Sequence, residues 1–106
     1  MVNNWNIPDW LEQEIRMRDQ ACVYCGVKFT PSNISKKSSV SWEHIINDAT
    51  IITRDNIALC CCSCNASKGP KELLTWFEST YCKQNNINID TVAPIIKKAV
   101  IQALLD

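Results

Sequence analysis

The chain has 106 residues, 46% of them hydrophobic, and its 11 basic side chains balance its 11 acidic ones. We expect one domain, residues 1–106, with a modest core, and the neutral charge excludes a general polycation that binds nucleic acid or membranes. The first residues, "MVNNWNIPDW", form neither a basic nor an apolar leader, and no apolar run is long enough to span a bilayer. We therefore expect a cytoplasmic protein with no membrane attachment.

The first predicted element is a helix in "IPDWLEQEIRMR", residues 7–18. Pro8 suits a helix start, and apolar Trp10, Leu11 and Ile15 recur near helical spacing. The later stretch "KFTPSNISKKSS" is rich in Ser, Pro and Lys and predicts a loop.

Two short β-branched and aromatic runs follow, "VSWEHII" and "NIALC", separated by "NDATIITRD". They predict a hairpin with a long loop. A short helix from Cys61 or Cys62 to Lys68 is expected next, because Gly69 and Pro70 form a typical helix stop.

Two further helices are predicted in the C-terminal part, residues 71–106. Pro70 suits the start of "PKELLTWFESTYCK", in which Leu73, Phe77 and Tyr81 recur every four residues. Asp90 or Thr91 is expected to cap "VAPIIKKAVIQALL". Its predicted apolar face consists of Val92, Ile95, Ile96, Ala99, Val100 and Ala103.

Metal ligation is the favoured role for the cysteines. There are seven, an odd number, and reducing compartments rarely keep disulfides. A tetrahedral zinc site is usually built from two C-x-x-C pairs, and the chain offers Cys22 with Cys25 and Cys61 with Cys64. Buried thiols or a redox pair are the alternatives for "CVYC", but no helix follows it as a redox motif requires. The remaining thiols are then spectators or core residues: Cys60, Cys62 and Cys82.

The ordered segments "RDQACVYCG", "WEHII" and "DNIALCCCSCNASKG" resemble the HNH endonuclease family in its zinc-ribbon-supported form. The resemblance covers residues 15–70. It implies an α+β fold with a ββα-metal core, a structural zinc ion on the four cysteines, and flanking N- and C-terminal helices. Glu43 stands where the family more often has Asp, and the Pro and Gly-Gly usual after the histidine are absent.

The chemistry of phosphodiester cleavage suggests roles for the polar residues of these segments. His44, the only histidine, has an ordinary pKa near 6.5 that suits a general base, although a lone histidine is more often structural. Glu43 and Asn65 offer hard oxygens that favour a catalytic Mg²⁺ or Mn²⁺. The resemblance assigns Asn56 to the connecting loop and to orienting His44; an ordinary turn residue is the alternative.

Strand geometry restricts how Glu43 and His44 can cooperate. Successive strand residues point to opposite faces, so the two face one phosphate only if they lie at a strand end or a bulge.

The charge distribution favours a DNA substrate for the central part of the chain. Residues 16–71 contain eight basic residues against four acidic ones. Lys68 lies three residues after Asn65 on one helical face and is a candidate phosphate contact, or else a solvated helix-end lysine. The other candidates are Lys36, Lys37 and Arg54, for which a solvated loop is the alternative.

Two functions remain open from sequence. The first is a metal-dependent DNA endonuclease, and the second is a non-catalytic zinc module that binds nucleic acid or protein. A structural zinc site alone requires none of the candidate catalytic residues, which favours the first. Since a small chain offers little surface for base recognition, we expect a homodimer or a protein partner, with the apolar C-terminal helix as the interface.

Overall fold

The computed structural model describes residues 7–105, which form a small α+β fold. Its elements in chain order are α1 (Asp9–Arg18), β1 (Val40–His44), β2 (Ile57–Cys61), α2 (Cys62–Lys68), α3 (Leu73–Phe77), α4 (Thr80–Gln84) and α5 (Pro94–Leu105).

The strands β1 and β2 form the predicted hairpin. They pair antiparallel from Val40 opposite Cys61 to His44 opposite Ile57, with consecutive residues paired throughout. The connecting loop, residues 45–56, is as long as expected. His44 is the last residue of β1, so it lies at a strand end and not at a bulge.

The two faces of the hairpin pack against different parts of the chain. Trp42, Ile57 and Leu59 form one buried cluster with Leu11 and Ile15 of α1. Ala58 and Cys60, which alternate with Ile57 and Leu59 on β2, belong to the other buried cluster. That cluster also contains side chains of α3, α4 and α5: Trp76, Cys82, Ile96 and Val100. The hairpin therefore separates an α1 side from a side that faces the remaining helices.

Helix α2 follows β2 directly, as expected. Cys61 caps it, and the loop carbonyls of Ser39 and Lys37 accept hydrogen bonds from Cys62 N and Ser63 N, both at 3.0 Å. These bonds satisfy N–H groups that lack intrahelical partners. At the other end Gly69 takes a φ of 50°, which a glycine adopts without strain, and the predicted helix stop is confirmed.

The prediction of one helix over residues 70–83 is wrong. The chain forms α3 and α4, because Ser79 takes an extended backbone and its hydroxyl accepts a hydrogen bond from Cys82 N at 3.2 Å. A serine in this position starts a new helix in place of continuing the old one. Pro70 lies in the connector, and α3 starts three residues later at Leu73.

The predicted boundary and face of the last helix need a partial correction. Helix α5 starts at Pro94, as suits a residue without an N–H, and not behind a cap at Asp90 or Thr91. Of its predicted apolar face, Val92, Ile96 and Val100 are buried, whereas Ala103 is exposed. Apolar residues near its end are exposed as well: Ile101, Leu104 and Leu105. Within residues 7–105, no helix is both long and apolar enough to cross a membrane.

Candidate metal centre and active site

Four cysteines converge where the N-terminal C-x-x-C turn meets the start of α2. The Sγ atoms of Cys22, Cys25, Cys61 and Cys64 all lie within 4.8 Å of one another. The first pair is shaped by a tight turn, in which Gly26 N donates to Cys22 O at 3.0 Å and Gly26 has a φ of 79°. The predicted grouping of these four residues is confirmed.

The spacing of the sulfurs suits a tetrahedral zinc ion. Zinc–sulfur bonds of about 2.3 Å place tetrahedral sulfurs about 3.8 Å apart. Cys25 Sγ and Cys61 Sγ are 3.7 Å apart, and no two of the four sulfurs are more than 4.8 Å apart. Four sulfur donors at this spacing could therefore hold a metal ion such as zinc.

Hydrogen bonds to sulfur support thiolates at this centre. Cys25 N donates to Cys22 Sγ at 3.5 Å, and Cys64 N donates to Cys61 Sγ at 3.4 Å. Hydrogen bonds from the Cys61 and Cys64 thiols lower the pKa of Cys22 to about 2. Sharing a proton with that thiolate raises the pKa of Cys61 to about 12 and raises the pKa of Cys64. A divalent cation removes this competition, because it favours all four thiolates together.

The other three cysteines do not belong to the group. Cys60 and Cys82 are buried in the apolar cluster that includes Trp76, and burial raises the pKa of both thiols. Cys62 is half-buried, with its sulfur 3.2 Å from Ser39 Oγ. The predicted core location of Cys82 is confirmed.

Glu43 lies buried between the first cysteine pair and α2. Its Oε2 accepts a hydrogen bond from the Tyr24 hydroxyl at 2.7 Å and lies 3.2 Å from the Lys68 ammonium. Burial raises the pKa of Glu43, while the Lys68 charge opposes that rise. Because Tyr24 and Lys68 already contact this carboxylate, Glu43 is not the open metal ligand that the sequence predicts.

Lys68 corrects the sequence prediction most clearly. Its side chain is 0% exposed, and its ammonium donates to Ile45 O at 3.1 Å besides pairing with Glu43. It is neither a phosphate contact nor a solvated lysine at a helix end. Because α2 packs against β1, the side chain crosses to the strand and pairs there with the only carboxylate within that strand.

Asn65, the other predicted oxygen ligand, is half-buried on α2 and contacts β1. Its Nδ2 donates to Ser41 Oγ at 2.9 Å, on the strand face that also carries Glu43. A lysine ammonium already neutralises Glu43, so a second divalent ion there would meet a like charge. The residues as arranged do not fit a Mg²⁺ or Mn²⁺ site.

His44 lies half-buried at the end of β1. Desolvation by burial lowers the pKa of His44, against a weaker opposing effect of the Asp48 charge. The imidazole is therefore neutral at neutral pH, the form that a general base requires. Strand alternation directs His44 to the side opposite Glu43, so the two do not converge as a regular pair.

Asn56 fixes the loop that follows His44. Its Oδ1 accepts from Ile46 N at 2.6 Å, and its Nδ2 donates to Ile46 O and Ile51 O at 3.2 and 3.0 Å. Ile45 N also donates to the Asn56 carbonyl at 2.8 Å. Asn56 is buried at the end of the loop, and its contacts connect that end to the start of the loop at Ile45 and Ile46 and to its middle at Ile51.

The basic residues predicted to bind DNA differ in their surroundings. Lys36 and Lys37 are exposed on the loop whose carbonyls contact the start of α2, so they lie near the cysteine group. Arg54 is also exposed but makes two hydrogen bonds to Glu14, at 2.8 and 3.1 Å. Exposed ion pairs are weak, so this contact leaves Arg54 accessible to a phosphate.

Sequence reasoning missed three polar contacts of the site. Tyr24 bonds Glu43, Ser41 bonds Asn65, and Tyr81 bonds the sulfur of Cys64. Tyr24 lies inside the "CVYC" turn, and Ser41 lies two residues before Glu43 on the same strand face. Their positions in the sequence could therefore have indicated that both lie near the site. For Tyr81 there was no such indication, because its position every four residues from Phe77 indicates only an apolar face.

No protein-family model, no curated protein and no solved structure matches the chain. The HNH resemblance therefore depends on the residues quoted above.

Proposed function

We propose that the protein is an endonuclease of the HNH type that hydrolyses phosphodiester bonds in DNA, with His44 as general base and a zinc ion on the four cysteines as scaffold. In this proposal the hairpin and α2 are the ββα core, and the cysteine centre fixes α2 against the N-terminal turn. The ion supplies folding free energy and takes no part in the reaction.

The environment of His44 supports this proposal best. A neutral imidazole at a strand end has a ring nitrogen that carries no proton, and such a nitrogen can accept one from water. Asn56, the last residue of the loop, holds the backbone that follows His44 with hydrogen bonds to Ile46 and Ile51. A zinc module without catalytic function needs neither a neutral histidine nor a loop fixed in this way.

The DNA substrate is inferred from exposed basic residues on the loops before and after β1. Lys36 and Lys37 follow one another on an exposed loop beside the cysteine centre, and Arg54 is exposed just before Asn56. Side chains of this kind bind the phosphate backbone without reading its sequence. The target sequence would have to be read by another surface or by a partner.

The second metal ion is the weakest part of the resemblance for this chain. Glu43 is paired with Lys68 and bonded to Tyr24, so we derive no catalytic step through an ion bound there.

A second candidate function follows from the same buried contacts. If the buried Glu43 is a purely structural residue, the chain is a zinc module that binds nucleic acid or a protein and cleaves neither. The Glu43–Lys68 pair favours this function, because it uses the motif's acidic residue for structure.

A plasmid-cleavage assay distinguishes the two functions. The zinc-loaded protein is incubated with supercoiled DNA in chelator-treated buffer and with added Mg²⁺ or Mn²⁺, and His44→Gln serves as the matched variant. The endonuclease proposal predicts nicked or linear DNA from the wild type and much less from His44→Gln. DNA binding without cleavage under every condition would favour the zinc module.

A further inference from the structure

The C-terminal helical segment places a hydroxyl group against the cysteine centre. Tyr81 of α4 places its oxygen 3.3 Å from Cys64 Sγ and 2.9 Å from Ser63 Oγ. Cys64 is buried, and within residues 7–105 its sulfur accepts no backbone N–H hydrogen bond like those at Cys22 and Cys61.

The ring of Tyr81 is held independently of its hydroxyl. It stacks on Trp76 with ring centres 6.1 Å apart and an angle of 25°. The indole of Trp76 in turn donates to Ser67 Oγ on α2 at 3.0 Å. The hydroxyl is therefore positioned by packing between α2, α3 and α4, and its removal leaves the ring contacts in place.

When a metal ion is bound, the available protons determine which group donates in the Cys64–Tyr81 and Tyr81–Ser63 hydrogen bonds. A metal-bound cysteine is a thiolate with no proton to donate, so Cys64 can only accept. Tyr81 has one hydroxyl proton, which must then point to the sulfur. The Tyr81 oxygen is left as an acceptor, and Ser63 is the donor to it.

We propose that Tyr81 is a positioning residue of the metal centre, donating its hydroxyl proton to the Cys64 thiolate while Ser63 donates to Tyr81. The C-terminal segment, which lies outside the resemblance to HNH proteins, is then part of the zinc site. The bond stabilises the thiolate and slows its protonation and release. This inference requires the zinc centre but does not depend on any nuclease activity.

A tyrosine hydroxyl has an ordinary pKa of about 10, so it carries a proton to donate at neutral pH. Hydrogen bonds to charged acceptors are about twice as strong as neutral ones. Loss of a partner that orients or stabilises a metal ligand typically costs about 10–100-fold in metal affinity.

The experiment compares the full-length wild type with Tyr81→Phe and Ser63→Ala. Thr75→Ala is the control, because it removes an exposed α3 hydroxyl that is not bonded to sulfur. Zinc transfer to excess chelator is followed with time. The absorption of the cobalt(II)-substituted protein reports charge transfer from sulfur to metal, which a purely structural effect on packing does not shift.

We expect Tyr81→Phe to lower zinc affinity by about ten-fold or more, and to shift the charge-transfer band to lower energy, because the sulfur becomes more electron-rich. Ser63→Ala should shift the band less and in the same direction, and Thr75→Ala should leave it unchanged. If Tyr81→Phe kept the charge-transfer band and the zinc release rate of the wild type, the proposal would be overturned. If Tyr81→Phe does not fold, an unchanged band in Ser63→Ala would overturn it instead.

Discussion

Replacing Lys68 by methionine should destabilise the protein strongly although the residue lies at the end of a short helix. Methionine keeps most of the aliphatic length and removes only the ammonium, which is 3.2 Å from Glu43 Oε2 in a contact with exposures of 0% and 6%. Glu43 would then be a buried carboxylate with Tyr24 as its remaining donor. The variant therefore measures the cost of an unpaired buried charge.

The size of the effect follows from the geometry. At 3.2 Å and an effective dielectric constant of about 20, the attraction between unit charges is about 5 kcal/mol. Removing one partner of a buried ion pair typically costs about 3–5 kcal/mol. The carboxyl group can escape part of this cost by taking up a proton, so we expect a loss of about 3 kcal/mol at neutral pH.

The pH dependence of the stability lost in Lys68→Met shows whether the unpaired Glu43 carboxylate causes that loss. Burial already raises the pKa of Glu43, and without Lys68 that pKa rises further. A carboxyl group whose pKa is higher in the folded state stabilises the fold at low pH and loses that contribution as the pH rises through the folded pKa. The deficit of Lys68→Met should therefore grow from mildly acidic to mildly alkaline buffer.

The assay is urea unfolding of the zinc-saturated proteins at each pH, always relative to the wild type so that zinc binding cancels. Glu43→Gln combined with Lys68→Met is the matched control, since the amide still accepts from Tyr24 but carries no charge. The double variant should lose less than the sum of the two single losses. A Lys68→Met protein as stable as the wild type at alkaline pH would refute the buried-pair interpretation.

Two further predictions concern the metal centre and DNA binding. Cys22→Ser and Cys61→Ser should lose zinc and unfold, because structural zinc supplies about 10–16 kcal/mol of binding free energy. Cys62→Ser should keep about one zinc per chain by metal analysis. Equal zinc content in all three variants would contradict the assignment of the ligands. Replacing Lys36 and Lys37 together by alanine should weaken DNA binding and reduce the salt dependence of the affinity by up to about two units of slope. A slope equal to that of the wild type, measured by fluorescence anisotropy, would show that these lysines do not contact phosphate.

The cysteine centre and the hairpin could be predicted from sequence because their signals are local. Two residues between cysteines suffice to bring each pair of sulfurs together, and the hairpin follows from two β-branched runs separated by polar residues. The end of α2 follows in the same way from Gly69. In each case the sequence signal is local, although the two cysteine pairs meet across a separation of 36 positions.

Other features depended on contacts between distant residues and could not be predicted. A lysine after a helical C-x-x-C pair is normally exposed, and only the approach of α2 to β1 shows that Lys68 reaches Glu43. Tyr81 resembles any core aromatic until α4 is placed beside Cys64. The break at Ser79 had a local signal, a potential capping serine, but the apolar spacing of Leu73, Phe77 and Tyr81 favoured an unbroken helix.

The rate of DNA cleavage as a function of pH tests the proposed function most directly. It is measured with zinc-loaded wild type and His44→Ala in single-turnover conditions. The wild-type rate should rise with pH, have its midpoint below the ordinary histidine pKa of 6.5 because burial lowers the pKa of His44, and then level off. His44→Ala should keep its zinc and DNA affinity and lose about 10²–10⁴-fold in rate. Cleavage by His44→Ala at the wild-type rate, or a wild type that binds zinc and DNA but never cleaves, would contradict the proposal.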